Sequence, residues 1–488
     1  MRTKQMLFCA GALGVLLLST SGLEAQAPDR SRPPDLGPPP TLNLPPIERY
    51  ELSNGLQVMY MPKRNVPLVQ INIIVMAGQA DDPEARPGLA SMTATMLDEG
   101  AGELGALELS EAIDFLGASI RVGSGEHTTS VALHTPLSML DDALPLLADV
   151  VLRPQFSAEE LDRQRRQRLT QMVQARDEAR AIAQVIYDRT LFGDAHPYGI
   201  PFLGTAESLT EMSVDDLKEF HRTFLVPNNS VVVVVGDVSR EEITERLEAV
   251  FGGWRPGSVP TRTFPDVQQV ERREVILVDK PGAAQSEIRI GRIGVDRKAE
   301  DYYALTVMNT ILGGSFASRI NQNLREDKGY TYGARSSFDF NLLPGAFTAS
   351  SAVQTAVTDS ALVEFFKELN AILEDVTEDE MTRARNFVAL RFPSRFQAVS
   401  AIAGQLGQLY IHDLPDGYFD EYVQQILAVT KEDVLRVARE YIDPERVAVI
   451  VVGDREQIEA GVRSLNLGPM HILTVEDVLG PPPEVPGS

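Results

Sequence analysis

The sequence predicts an α+β protein made of two homologous halves from an internal duplication, each half a mixed sheet packed with helices. Three observations carry this. First, MSVDDLKEFHRTFLVPNNSVVVVVGDVSREEI from Met212 reads against VTKEDVLRVAREYIDPERVAVIVVGDREQI from Val429. Pro227 pairs with Pro444, and Gly236–Asp237 with Gly453–Asp454, both 217 residues apart. Each copy gives a helical pattern, a proline turn, an apolar strand, then Gly-Asp before a charged helix. Second, Phe156–Leu161 reads against Val376–Met381, helix starts with Ser157 and Thr377 as N-caps and acidic first turns. A strand–helix module at so long a period points to duplication, not a solenoid. Third, strands mix with long helices, and no phosphate loop or Rossmann glycine pattern follows a strand.

The boundaries follow in order. Residues 1–25 read as a signal peptide: Arg2 and Lys4 precede an apolar stretch from Met6 to Leu18, too short to span a bilayer, with a cut expected after Ala25. Residues 26–46 are proline-rich and predict an extended linker. The first half takes residues 47–254 and the second 274–465. Pro256, Pro260 and Pro265 mark an inter-half linker over 255–273, and 466–488 is left as a tail.

Composition narrows the function. The 488 residues are 43% hydrophobic and 23% charged, ordinary globular values, with a net charge of −24. Nucleic acid and anionic membrane surfaces are poor partners for such a chain. The single cysteine, Cys9, falls in the leader, so the mature protein has no disulfide or thiol chemistry. No later segment is long and apolar enough for stable membrane insertion, and an exported protein is expected, in the periplasm.

Several blocks together resemble one family. Leu52-Ser-Asn-Gly-Leu56 opens an alternating strand, and Gly88 to Leu97 reads GLASMTATML. His196-Pro-Tyr-Gly199 is followed by Gly204-Thr205. Leu312 to Arg319 (LGGSFASR) precedes Leu324 to Tyr332 (LREDKGYTY). These blocks resemble the inverzincin metallopeptidases of the insulinase/pitrilysin family, which includes the mitochondrial processing peptidase, over about residues 47 to 465. The resemblance implies a clam-like shell around a central cavity. It places the His-x-x-Glu-His zinc motif on Gly88–Leu97, with the histidines at Ser91 and Thr95 and the general base at Ala94. Two later glutamates of the family would fall on Gln164 and Gln171.

None of these five residues does zinc chemistry. Zinc takes imidazole, thiolate or carboxylate donors, and an alanine methyl cannot accept a proton from water. The six histidines, His127, His134, His196, His221, His412 and His471, include no two within four residues, so no shift of register restores a pair on one helix face. His196 is expected as a turn or packing residue. Metal ligands: none; cofactor in this chain: none.

The second half keeps more. The resemblance implies that Arg325 and Tyr332 project toward a zinc site, Tyr332 donating to the oxyanion and Arg325 forking to a substrate carbonyl. Tyr330 adds a ring, and Gly313 and Gly314 either line the substrate path or simply cap a helix. The reading that follows is a non-catalytic subunit whose zinc-bearing partner, of the same family, supplies His-x-x-Glu-His to hydrolyse peptides. The alternative is a peptide-binding or scaffold protein of the same fold. An autonomous enzyme with an unrelated site is disfavoured, because Ser91 lacks a glycine elbow.

Overall fold

Valine strands decide the architecture. Val231 to Val235 are all 0% exposed, which requires cover on both faces of their strand. The computed structural model describes Gly37, Leu42 and residues 44–485. The expected signal peptide, Cys9 and most of the proline-rich linker lie outside the described residues. The described residues from Leu42 onward form one unit.

The first half builds a six-stranded sheet in the order β1-β2-β6-β3-β5-β4. Its strands are β1 (Glu48–Glu51), β2 (Gln57–Pro62), β3 (Leu68–Val75), β4 (Ser119–Ser124), β5 (Thr129–Pro136) and β6 (Ser230–Gly236). The second half builds a sheet in the order β12-β7-β11-β8-β10-β9. It consists of β7 (Glu274–Asp279), β8 (Gln285–Ile293), β9 (Ala334–Phe340), β10 (Pro344–Gln354), β11 (Ala448–Gly453) and β12 (Met470–Thr474). Five strands correspond one to one: β2 and β6 are parallel neighbours, as are β7 and β11, and the antiparallel pairings beyond them match. The duplication read from the sequence is therefore a duplication of sheet topology.

The sixth strands differ. β1 comes from the start of its half and runs antiparallel to β2, whereas β12 comes from the chain's end and runs parallel to β7. This corrects the expected tail at 466–488: the segment completes the second sheet and continues into a short helix, Val475–Leu479. Its alternation is too short to stand out in the sequence, and only the vacant edge of β7 gives it a partner.

Each half also lends a helix to the other. Alternation splits the first sheet into two faces. Val58, Tyr60, Ile71, Ile73, Val232 and Val234 pack with helices of their own half. Met59, Met61, Ile74, Val231, Val233 and Val235 share a core with residues of the second half. The covering element there is the helix Val399–Ile411, packed on β3 and β6. Reciprocally, the helix Ala179–Phe192 of the first half lies on β8 and β11 of the second. Its Ile182, Ala183, Ile186 and Tyr187 meet Ile450 and Val452 in a third core.

Two glycines admit these helices. A Cβ on Gly291 of β8 would lie 1.9 Å from the Tyr187 hydroxyl, and one on Gly407 would lie 2.6 Å from Ile74 Cδ1. Tyr187 then donates to the Phe347 carbonyl at 2.8 Å and shares a hydrogen bond with Thr348 Oγ1 at 2.9 Å.

The inter-half segment 255–273 has no regular secondary structure, but it is fastened. Arg262 pairs with the buried Asp81 carboxylate at 2.6 Å, and Gln269 bonds both the carbonyl and the amide of Ile293. Among the described residues, no helix is long and apolar enough to cross a membrane.

Candidate functional site

The helix that would carry a zinc motif spans Leu89–Thr95. Gly88 precedes it at φ 87°, a left-handed conformation that favours glycine. Asp82 caps its first turn, accepting from the amides of Gly88 at 2.6 Å and Ala90 at 2.7 Å. Ser91 and Thr95, four residues apart, share a face.

That face is already occupied by an arginine. Arg168, from the helix Ala158–Ala175, is 5% exposed and reaches both positions. Its Nη1 donates to Ser91 Oγ at 2.8 Å, and its Nη2 donates to Ser91 O at 2.8 Å and to Thr95 Oγ1 at 2.9 Å. Burial lowers the guanidinium pKa to about 10, opposed by the Asp82 charge. Burial raises Asp82 to about 7, opposed by its two amide donors and by Arg168. The two charges influence each other beneath the helix, although Arg168 spends its hydrogen bonds on Ser91 and Thr95.

The other motif positions are equally unsuited to metal. Ala94 is buried. Gln164, four residues before Arg168, is buried and donates to Glu99 Oε1 at 2.5 Å, while Gln171, three residues after it, is exposed. Two hydroxyls and an amide are poor zinc donors, and a fixed guanidinium among them repels a second cation. The residues present do not fit a zinc ion. Two histidines meet around Tyr198: His196 caps the turn Pro197–Gly199, accepting from the Tyr198 amide, and His127 shares a 2.6 Å hydrogen bond with the Tyr198 hydroxyl.

In the second half, the helix Tyr302–Leu312 ends at Gly313, whose amide donates to Asn309 O at 2.9 Å. A Cβ on Gly313 would lie 2.2 Å from the Ser336 amide of β9, and one on Gly314 would lie 2.9 Å from Asn309 Nδ2. Both glycines therefore serve a helix end pressed against a strand. Phe316 follows, 60% exposed.

Arg325 sits on a π-helical turn, Gln322–Asp327, a conformation frequent at functional sites. Its guanidinium lies 4.6 Å from the Phe316 ring centroid, and its Nε lies 3.2 Å from Glu326. Glu364 braces the turn from the helix Thr358–Glu374, bonded by Asn323 at 2.9 Å and Lys328 at 2.8 Å. Burial would raise that carboxyl, but hydrogen bonds from Lys328, Asn323 and Lys367 override it and hold the pKa at about 2.

Tyr330 and Tyr332 part company. Tyr330 packs against the core, and its amide donates to Leu324 O at 2.9 Å. Tyr332 is 91% exposed. Arg325 and Phe316 thus form one solvent-facing pair, and Tyr332 is exposed on the segment that follows. Among the described residues, no hydrogen bond, ion pair or ring contact joins them to the Ser91–Arg168 cluster.

Sequence reasoning did not reach Arg168, Asp82, Phe316 or Glu364. A signal for Arg168 existed: it falls between Gln164 and Gln171 at helical spacing, on the face assigned to metal ligands. Nothing local marks Asp82 or Glu364, whose partners lie on other segments.

Comparison with known proteins settles the family. The profile described as "Insulinase (Peptidase family M16)" matches residues 57–198, and the one described as "Peptidase M16 inactive domain" matches residues 211–388. The chain belongs to the M16 peptidase family. The first M16 match contains Ser91, Thr95 and Arg168, and the inactive-domain match contains Arg325 and Tyr332. An uncharacterized zinc protease of Mycobacterium leprae is 26% identical over 345 residues, covering 70% of this chain and 76% of that protein. A non-peptidase homolog of Helicobacter pylori is 22% identical over 404 residues, covering 82% and 92%. The crystal structure of a peptidase M16 inactive domain from Pseudomonas fluorescens superposes with a TM-score of 0.78 at 24% identity, covering 83% of this chain and 98% of that one.

Proposed function

We propose that this M16 chain is the non-catalytic subunit of a heteromeric zinc peptidase. It lends Arg325 and Tyr332 to a partner of the same family that carries His-x-x-Glu-His and the zinc. The observation that carries the reading is a contrast between the halves. The motif face of the first half is filled by Arg168, while the second half holds Arg325 on a braced π turn beside the exposed ring of Phe316 and, seven residues on, leaves Tyr332 exposed. An exposed tyrosine costs nothing in folding and suits a hydroxyl that works on another molecule. In this reading the peptide-holding cavity is the space between the two chains, and the compartment, from the leader at residues 1–25, is the periplasm.

The relatives are named both ways, some as zinc proteases and one as a non-peptidase homolog, which accords with a family whose members divide the work.

The test is to purify the mature chain with its zinc-bearing partner and assay peptide cleavage. Tyr332→Phe should lower kcat by about a hundredfold or more, the usual cost of an oxyanion donor. Arg325→Ala should raise KM, with the complex intact by gel filtration in both cases. Unaltered turnover of the Tyr332→Phe complex would turn the assignment to a peptide-binding or scaffold role.

A further inference from the structure

We propose that the space between the helices Leu89–Thr95 and Ala158–Ala175 is a cation site filled by the chain's own guanidinium, so that Arg168, and not the missing ligands alone, closes this half to metal. The inference concerns the first half only and stands or falls apart from any partner.

The geometry is that of a built site. Arg168 sits between the Ser91 and Thr95 positions with three donor–acceptor distances of 2.8 to 2.9 Å, and the side chain is 5% exposed. Those acceptors are two hydroxyls and one carbonyl, a set that satisfies a planar donor fork. Each hydroxyl also has an outlet for its own proton: Ser91 Oγ toward Gly88 O at 3.0 Å or Phe202 O at 3.1 Å, and Thr95 Oγ1 toward Ser91 O at 2.9 Å. Both oxygens therefore turn lone pairs to the guanidinium. Asp82, fixed by two amides at the helix start, adds a favourable charge nearby without touching the guanidinium.

This is the charge arrangement a metal site would have, one cation held between two helices, but the cation is tethered to Ala158–Ala175. Restoring histidines would not reopen it, because a bound metal would have to share the space with a fixed positive charge.

Two experiments on the full mature chain test the proposal. In the first, Arg168→Ala leaves a hole lined by Ser91 Oγ, Ser91 O and Thr95 Oγ1. The variant should melt several degrees below wild type, and millimolar methylguanidinium should restore a large part of the loss while leaving wild type unchanged. A variant that folds only with methylguanidinium present supports the proposal equally. Overturning results are a variant that melts like wild type, or one that methylguanidinium rescues no better than tetramethylammonium.

In the second, Ser91→His, Ala94→Glu, Thr95→His and Gln164→Glu are introduced together, with and without Arg168→Ala, and zinc is titrated by calorimetry. Zinc should bind one to one only when Arg168 is also replaced. One-to-one uptake by the chain that keeps Arg168 would overturn the proposal, as would folded protein lacking Arg168 that takes up none. Should neither of these variants fold, the methylguanidinium result decides.

Discussion

Arg319 grips Glu380 with both prongs of its guanidinium, Nε to Oε1 at 2.6 Å and Nη2 to Oε2 at 2.9 Å. The pair joins the glycine-rich segment after Gly313 to the helix Glu378–Arg391, whose capping box uses the same carboxylate. Glu380→Gln should cost about 2 kcal/mol, since hydrogen bonds to a charged, mostly buried group are lost. Urea denaturation at neutral pH measures it.

Acid should act on the same pair. Burial pushes Glu380 up, but Arg319 and Thr377 outweigh it and bring the carboxyl from 4.5 down to about 2. Glu364 is lowered to about 2 as well. The unfolded chain then binds more protons than the folded one between those values, so the stability these groups give is full above about pH 4.5 and lost as pH falls toward 2. Melting curves over that window should slope downward on acidification, and less steeply in the Glu380→Gln variant. Equal slopes would remove Glu380 from the account.

Gly291 tolerates no side chain. Beyond the Tyr187 hydroxyl, its Cβ would lie 2.0 Å from the Phe347 carbonyl oxygen, a backbone atom that cannot step aside. Gly291→Ala should cost about 3 kcal/mol or more through overpacking. Tyr187→Phe should cost only about 1–2 kcal/mol through lost hydrogen bonds. Thermal unfolding of the two variants gives the order.

Asp82 both caps a helix and faces Arg168. Asp82→Ala should lose about 2 kcal/mol, because the amides of Gly88 and Ala90 lose their acceptor at a partly buried helix start. Urea denaturation measures it, and an unchanged stability would mean that the cap contributes nothing.

Exposure separates Tyr332 and Arg325 from these positions. Tyr332→Phe and Arg325→Ala should leave the stability of the isolated chain within about 0.5 kcal/mol of wild type. A large change would mark them as structural residues and weaken their assignment to a partner's site.

Much of the fold was legible because the duplication leaves local marks. The Pro227 and Pro444 turns, the valine strands and the Gly-Asp steps are short-range patterns, and they recur. The exchange of helices left none: Ala179–Phe192 and Val399–Ile411 read as ordinary amphipathic segments, and nothing in their periodicity says which sheet they cover. The unbroken valine run Val231–Val235 is the one local pattern that fits cover on both faces. The site divides similarly. Loss of zinc donors at Ser91 and Thr95 could be read from side-chain chemistry alone. The occupant could not, because Arg168 meets them across more than seventy residues of chain. The resemblance separates Tyr332 from Tyr330 by role, but only the turn after Leu324 shows that Tyr330 is packed and Tyr332 exposed.

The interleaving of the halves also sets an order of events during synthesis. The first sheet is complete once β6 has left the ribosome, but the helix that covers its second face, Val399–Ile411, is made some 160 residues later. At about 5–20 residues per second, the nascent chain carries a bare valine-rich surface for roughly 10–30 seconds. Such a chain calls for a holding chaperone during that interval, and one destined for export would profit from staying unfolded until it has crossed. The N-terminal half made alone would keep that surface for good and should collect as aggregates.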